Sequence, residues 1–280
     1  MKIDIPLSHL AAEDCRALEQ SLHAAPTGAV TGVAVAYPPG HRVPAHQHDY
    51  SQLLYAAEGL MHVEASTGRW VVPPTTAVWI GPNVAHGFTV QRSARVYGIF
   101  VAPGLEPDLS INNGVIQVSA LLRALILRVA QAGPGIGASR HGQLMSALLL
   151  EELSTRDALP FFLPWPKDAR LAKVCDALSA EPGQSLGLDD WAATLAMSGK
   201  TLHRHFVQDT GMTFGRWRQR LRLLRALDAL LEGEPILQVA LRCGYQSHSA
   251  FTLAFRQHFG MAPSVFARQG QAALEAEPAA

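Results

Sequence analysis

The 280 residues carry 23 Lys and Arg against 23 Asp and Glu, and 48% of them are apolar. A length of this order favours two domains, and the apolar content allows a substantial buried core. The longest apolar runs, LLRALILRVA and LMSALLLEEL, are interrupted by charge and too short to span a bilayer, and no secretion signal opens the chain. Membrane partners are therefore not expected. Three scattered cysteines, Cys15, Cys175 and Cys243, with no CxxC pair, suit reduced thiols in a cytoplasmic protein.

In chain order, a short helix is expected near Ala11–Leu22. From Gly28 to Pro103 the texture is that of β-structure. GAVTGVAVA, QLLYAA, GLMHVEA, RWVVP, TAVWIG and ARVYGIFV are short runs rich in Val, Ile, Tyr and Trp. Turn residues punctuate them at Pro38-Pro39-Gly40, Gly59, Thr67-Gly68, Pro73-Pro74 and Pro82-Asn83. Many short strands at this spacing predict a small barrel or sandwich.

This region holds a histidine constellation. Gly40, His46, His48, Gln52 and Gly59 follow one another as G-x5-H-x-H-x3-Q-x6-G, and Pro82 precedes His86 as P-x3-H. Histidines at i and i+2 of an extended chain share a face, and a third can meet them from a facing strand. Three imidazoles and one oxygen donor suit a divalent transition metal. The spacing resembles the cupin motifs, with Gln52 where cupins normally carry Glu. By that resemblance His46, His48, Gln52 and His86 are the metal-binding set. Two other readings stay open: a metal-free polar pocket that holds an effector directly, and incidental residues. Tyr50, Tyr55, Trp79 and Phe88 could wall such a pocket, though each by itself reads first as ordinary core.

A loop over Gly104–Asn113 leads to two amphipathic helices, Ser119–Gln131 with Leu122, Leu125, Ile126 and Val129 inward, and Ser139–Ser154 with Leu144, Leu148, Leu149 and Leu153. Both are apolar over more than half their circumference, more than packing on one barrel requires. They form an intramolecular hairpin or a dimer interface. LPFFLPW, residues 159–165, reads as a docked linker, and Asp168–Ala180 as the first helix of a second domain.

Two helix–turn–helix units follow. In Asp189–Phe206, Trp191, Ala192 and Leu195 make one apolar face, Ala196-Met197 the turn, and Ser198 an N-cap. Leu202 and Phe206 point inward, which turns Lys200, His203 and Arg204 outward. In Pro235–Gly260, Ile236, Val239 and Ala240 face inward, Gly244 turns the chain and Ser247 caps the next helix. Phe251 and Phe255 are buried, and Gln246, His248, Ser249 and Thr252 lie outside. The capping serines are 49 residues apart, an internal tandem. Between the units Thr213–Glu232 reads as one helix of roughly 30 Å, close to the roughly 34 Å of one duplex turn. Residues 191–225 contain seven cations against Asp209 alone, and cations near phosphates supply non-specific DNA affinity. Charge is divided along the chain: residues 167–270 hold 13 Lys and Arg against 9 Asp and Glu, residues 1–166 hold 10 against 12. A selective nucleic-acid binder with a separate sensor has this distribution.

Residues 185–268 resemble the DNA-binding domain of AraC/XylS-family transcription regulators. Ser198, Leu202, Arg204 and Phe206 carry the resemblance, with Gly244-Tyr245, Ser247, Phe251 and the run AFRQHFGMAPSVF. The match covers just under a third of the chain. It implies that Lys200, His203 and Arg204 read bases from the first unit, and Gln246, His248, Ser249 and Thr252 from the second. Leu253 stands where many relatives carry Arg, which implies a weaker second contact.

The expected architecture is thus multidomain α+β: a cupin-like β-barrel over residues 1–113, a helical hairpin over 114–158 for dimerisation, a linker over 159–167, and an all-α tandem helix–turn–helix domain over 168–270. The expected function is a non-enzymatic, homodimeric transcription regulator that binds a double-stranded DNA operator under control of a small-molecule effector. Two alternatives are a metal-dependent cupin enzyme with a DNA-binding appendage, and an architectural DNA binder whose β-module only dimerises.

Overall fold

The structure, a computed structural model, describes residues 30–109 and 111–275. Cys15, the helix expected near Ala11–Leu22, the strand start at Gly28 and the tail beyond residue 275 lie outside the described residues. The chain divides into two compact units, one on residues 30–65 and 70–159, the other on residues 66–69 and 160–272.

The first unit is built on antiparallel strands: β1 (Val30–Tyr37), β2 (Arg42–His46), β3 (Ser51–Ala56), β4 (Met61–Ala65), β5 (Gly68–Val72), β6 (Thr76–Ile80), β7 (His86–Val90), β8 (Ala94–Val101), β9 (Asn113–Gln117) and β10 (Ala158–Leu159). One sheet has the order β1–β8–β3–β6–β9–β10, and in the other β5, β4, β7 and β2 are neighbours in that order. The barrel expected from the sequence is therefore corrected to two sheets without closure. The edge at β2 explains part of this. Pro44 has no N–H to extend a ladder, and a bulge between Val43 and His46 breaks the register with β7.

Every residue of β3 is buried, and so is every residue of β6, because both faces of their sheet are covered. Helix α1 (Ala120–Ala132) and helix α2 (Arg140–Ser154) lie on one of them. Ser119 and Ser139 cap the two helices, accepting from Leu122 and Gly142 N–H at 3.1 and 3.0 Å. Leu122, Leu125, Ile126 and Val129 of α1 join Leu53, Tyr55, Trp79, Tyr97 and Ile99 in one core, each such burial contributing roughly 1.5–3 kcal/mol. At Gly32 of β1, a Cβ would lie 2.7 Å from the Ala130 Cα, so α1 rests on bare strand backbone. The hairpin covers a sheet rather than standing as a separate body. Leu149 and Leu153 of α2 enter the same core, whereas Leu144 and Leu148 are exposed.

The second unit carries the short β11 (Phe162–Pro164) and then α3 (Ala169–Ala180), α4 (Leu188–Thr194), α5 (Gly199–Thr210), α6 (Phe214–Leu231), α7 (Ile236–Arg242), α8 (His248–Phe259) and α9 (Pro263–Glu275). Helix α6 is the spine, with α3, α5, α7 and α8 packed against it. It buries Trp217, Leu221, Leu224, Leu227 and Leu230. The segment read as a docked linker belongs to this unit: Phe161 stacks on Phe259 at 5.1 Å, and Trp217 Nε1 donates to the Pro164 carbonyl at 2.7 Å. Among the described residues, no helix is long and apolar enough to cross a membrane.

The two turns between helices are the same device. Met197 N–H donates to the Ala192 carbonyl, and Tyr245 N–H to that of Ala240, the six-to-one bond of a Schellman turn. Its left-handed position is Gly244 (φ 77°) in the second unit but Ala196 (φ 52°) in the first. A Cβ in that region costs about 1–2 kcal/mol. Ala196→Gly is therefore expected to stabilise the protein by about 0.5–1 kcal/mol, part of the relief being offset by the freer unfolded chain. Urea unfolding of the two proteins checks this; a lower midpoint for the glycine variant would contradict it.

Candidate functional site

The first candidate lies between the two sheets. Gln52, on β3, pairs in register with Phe100 of β8, and His46 on β2 pairs with His86 on β7. Sequence reading missed both β2 and β7, yet the spacing found their histidines. Gly87 allows the close approach that the bulge needs, since a Cβ there would lie 2.7 Å from the Val43 carbonyl oxygen. The three rings sit 4.6–5.9 Å apart between centroids, and one nitrogen from each lies within 4.8 Å of the others. His86 is 1% exposed, His48 8% and Gln52 6%, while His46 is half-buried.

Each Nδ1 faces a backbone carbonyl: His46 that of Pro44 at 3.0 Å, His48 that of Tyr50 at 2.8 Å, His86 that of Val84 at 2.8 Å. A carbonyl only accepts, so each Nδ1 carries the proton, which in a neutral imidazole leaves Nε2 as the acceptor. Burial pushes His86 down to about 4, overriding its carbonyl partner, with His46 and His48 adding to the lowering; it stays neutral at physiological pH. Gln52 Oε1 lies 2.8 Å from His86 Nε2 and 3.2 Å from His48 Nε2. The set expected from the sequence, His46, His48, Gln52 and His86, is thus brought together.

The aromatic walls are a different matter. Strand alternation puts Leu53 and Tyr55 on the face opposite Gln52, where the Tyr55 hydroxyl accepts from Arg123 Nε of α1 at 3.2 Å. Trp79, in register with Leu53, follows it into that helix-covered core. Neither lines the pocket. Phe100, unnoticed in the sequence, does, edge-on to His48 at 5.6 Å; Phe88 packs edge-on to Tyr37. Cys175 and Cys243 are buried thiols whose burial raises them above the usual range, Cys243 to about 11.

The second candidate is the outer surface of α5 and α8. Ser198 caps α5 by accepting from Thr201 N–H at 3.1 Å, and Ser247 caps α8 by accepting from Ala250 N–H at 3.2 Å. With Leu202, Phe206, Phe251 and Phe255 fully buried, helical geometry leaves Lys200, His203 and Arg204 exposed on α5, and Gln246, His248 and Ser249 exposed at the start of α8. Thr252 is less open than expected. The residue is half-buried, and its Oγ1 is buried with no hydrogen-bond partner among the described residues. Leu253 is exposed instead, and Arg256 continues its face one turn on.

The basic run also divides. Arg222 donates to the carbonyls of Pro182, Gln184 and Gly244 at 2.8, 3.1 and 3.3 Å. Arg218 donates to Leu186 and Arg220 to Phe162. Three of the seven cations therefore tie neighbouring segments to α6, which leaves fewer of their N–H groups free for a phosphate backbone.

Two family models match the chain: an AraC-like ligand binding domain over residues 30–154 and a helix-turn-helix domain over residues 191–269. The HTH-type transcriptional regulator NimR of Escherichia coli K12 is 30% identical over 220 residues, which is 79% of this chain and 80% of that protein. The HTH-type transcriptional regulator RipA of Corynebacterium diphtheriae is 36% identical over 131 residues, 47% of this chain and 37% of that protein. Among solved structures, ToxT from Vibrio cholerae aligns over 87% of this chain and 100% of that one at 11% identity, with a TM-score of 0.38, too loose a likeness to carry weight.

Proposed function

The chain belongs to the AraC family of DNA-binding transcription regulators, and from that premise we propose that it works as a homodimer whose N-terminal unit binds a small effector and whose two helix–turn–helix units read one operator together. The observation that carries this reading is the matched pair of capped helices on a shared spine: Lys200, His203 and Arg204 exposed on α5, and Gln246 just before α8 with His248 and Ser249 on it. The 18 residues of α6 span roughly 27 Å at about 1.5 Å per residue, a length suited to successive major grooves. The effector enters between the sheets, at the histidine cluster, and acts by favouring one presentation of the reading helices over another. The protein acts in the cytoplasm, where its operator is. Selection from randomised duplexes tests the reading: the purified chain should enrich one motif, and enrichment of none contradicts it.

The second copy docks on α2. Leu144 and Leu148, one turn apart, are 60% and 44% exposed, on a helix whose other face is already satisfied by the core. Leu144→Glu is expected to weaken self-association at least tenfold, since a buried unpaired carboxylate costs more than the roughly 1.4 kcal/mol a decade requires. Sedimentation equilibrium reads this directly. A wild-type chain that sediments as a monomer, or a variant that associates as tightly as wild type, contradicts it.

A further inference from the structure

We propose that His46, His48 and His86 hold one borderline divalent metal ion, and that Gln52 fills its fourth position weakly enough for an anionic effector to displace it. The hydrogen-bond geometry points there. With all three Nδ1 protons committed to carbonyls, three Nε2 lone pairs converge, and Gln52 Oε1 brings more lone pairs to within 2.8 and 3.2 Å of two of them. In neutral rings so arranged, acceptors face acceptors with no hydrogen between. A cation at the centre resolves this. So does turning the amide over, whereupon its NH2 gives one hydrogen to His48 and one to His86 and the pocket is closed without metal. The two arrangements make opposite predictions at Gln52.

The donor set chooses the ion. Imidazole suits Zn2+, Co2+, Ni2+ and Cu2+, whereas Mg2+ and Ca2+ want carboxylate oxygen. No Asp, Glu or Cys joins the cluster among the described residues. The carbonyl bonds fix ring tautomer and orientation as outer-shell partners do in metal sites. Three neutral rings and a neutral amide also leave the ion its full charge of two, in a mostly buried site where electrostatic attraction is strong. An amide oxygen is a poor ligand beside a carboxylate. An incoming carboxylate or similar anion supplies both the missing charge and the better bond. The effector half of this proposal rests on the sensor reading given above; the metal half does not.

The test uses the untagged full chain, stripped by a chelator and titrated with Co2+, whose visible absorption reports coordination. One equivalent is expected to bind and to develop a tetrahedral-type spectrum that azide or acetate shifts saturably. His46→Ala, at the half-buried position, should weaken Co2+ binding by about tenfold or more, the lower bound that even outer-shell changes bring, with circular dichroism unchanged. Gln52→Glu should retain Co2+ more tightly and respond less to azide, because the carboxylate occupies the position and lowers the charge. Co2+ binding no stronger than in the His46→Ala protein would overturn the proposal. So would a Co2+ spectrum indifferent to both anions, or a Gln52→Glu protein that binds Co2+ more weakly than wild type, the outcome of a metal-free amide bridge. None of these readouts involves DNA, so failure here and failure of the selection experiment are separate results.

Discussion

Trp217→Ala is expected to destabilise the C-terminal unit by about 3–5 kcal/mol, the range for removing a fully buried large aromatic side chain. Trp217 is 0% exposed at the centre of α6. Its ring lies 5.7 Å from Phe206 of α5 and 5.5 Å from Trp165, and its Nε1 satisfies the Pro164 carbonyl. The alanine variant opens a cavity between α6 and α5 and leaves that carbonyl without this donor. Trp217→Phe separates the two losses: most of the ring stays, the donor goes, and the cost falls to about 1–3 kcal/mol. Urea unfolding followed by far-ultraviolet circular dichroism measures both. A loss below about 1 kcal/mol for the alanine variant would mean that the spine is not packed as described.

Arg204→Ala should have the opposite profile, with little change in stability and a large change in recognition. Arg204 is exposed on α5, and among the described residues it makes no ion pair with a carboxylate. If it pairs with the edge of a guanine, its loss should cost the specific duplex about 1–3 kcal/mol and leave the affinity for unrelated sequence nearly unchanged. Arg222→Ala is the informative contrast, since its guanidinium is spent on three carbonyls; it should lower stability before it lowers specificity. Fluorescence anisotropy on the selected duplex and a scrambled one distinguishes the cases. Equal losses on both duplexes for Arg204→Ala would reassign it to the phosphate backbone.

These variants also show where sequence reasoning reaches and where it stops. The helix–turn–helix units were legible because their signals are local: serine caps, a turn residue, aromatic pairs one turn apart. Thr252 is less open than expected for a local reason too: it stands one step of about 100° around α8 from the buried Phe251. The arginines of α6 look alike in the sequence, and only tertiary structure shows that Arg218, Arg220 and Arg222 reach carbonyls distant in the chain.

In the β-unit, β3, β6 and β8 were recognised as apolar runs. The partners of their two faces were not, because residues buried on both sides lose the alternation that tells inside from outside. That is why Tyr55 and Trp79 could be read as pocket walls as well as core. β2 was missed because its edge position leaves it exposed and interrupted by Pro44, and β7 because HGFTV is short and holds a glycine. The histidines they carry were found by spacing alone, which is blind to the bulge that aligns His46 with His86.

The most direct test of paired reading by α5 and α8 is a hydroxyl-radical footprint of the purified protein on its selected duplex. Two protected blocks per protomer are predicted, on one face and centred about one helical turn, roughly 10 base pairs, apart, with Arg204→Ala erasing one block and Gln246→Ala weakening the other. A single block per protomer, or uniform protection of any duplex offered, would contradict it.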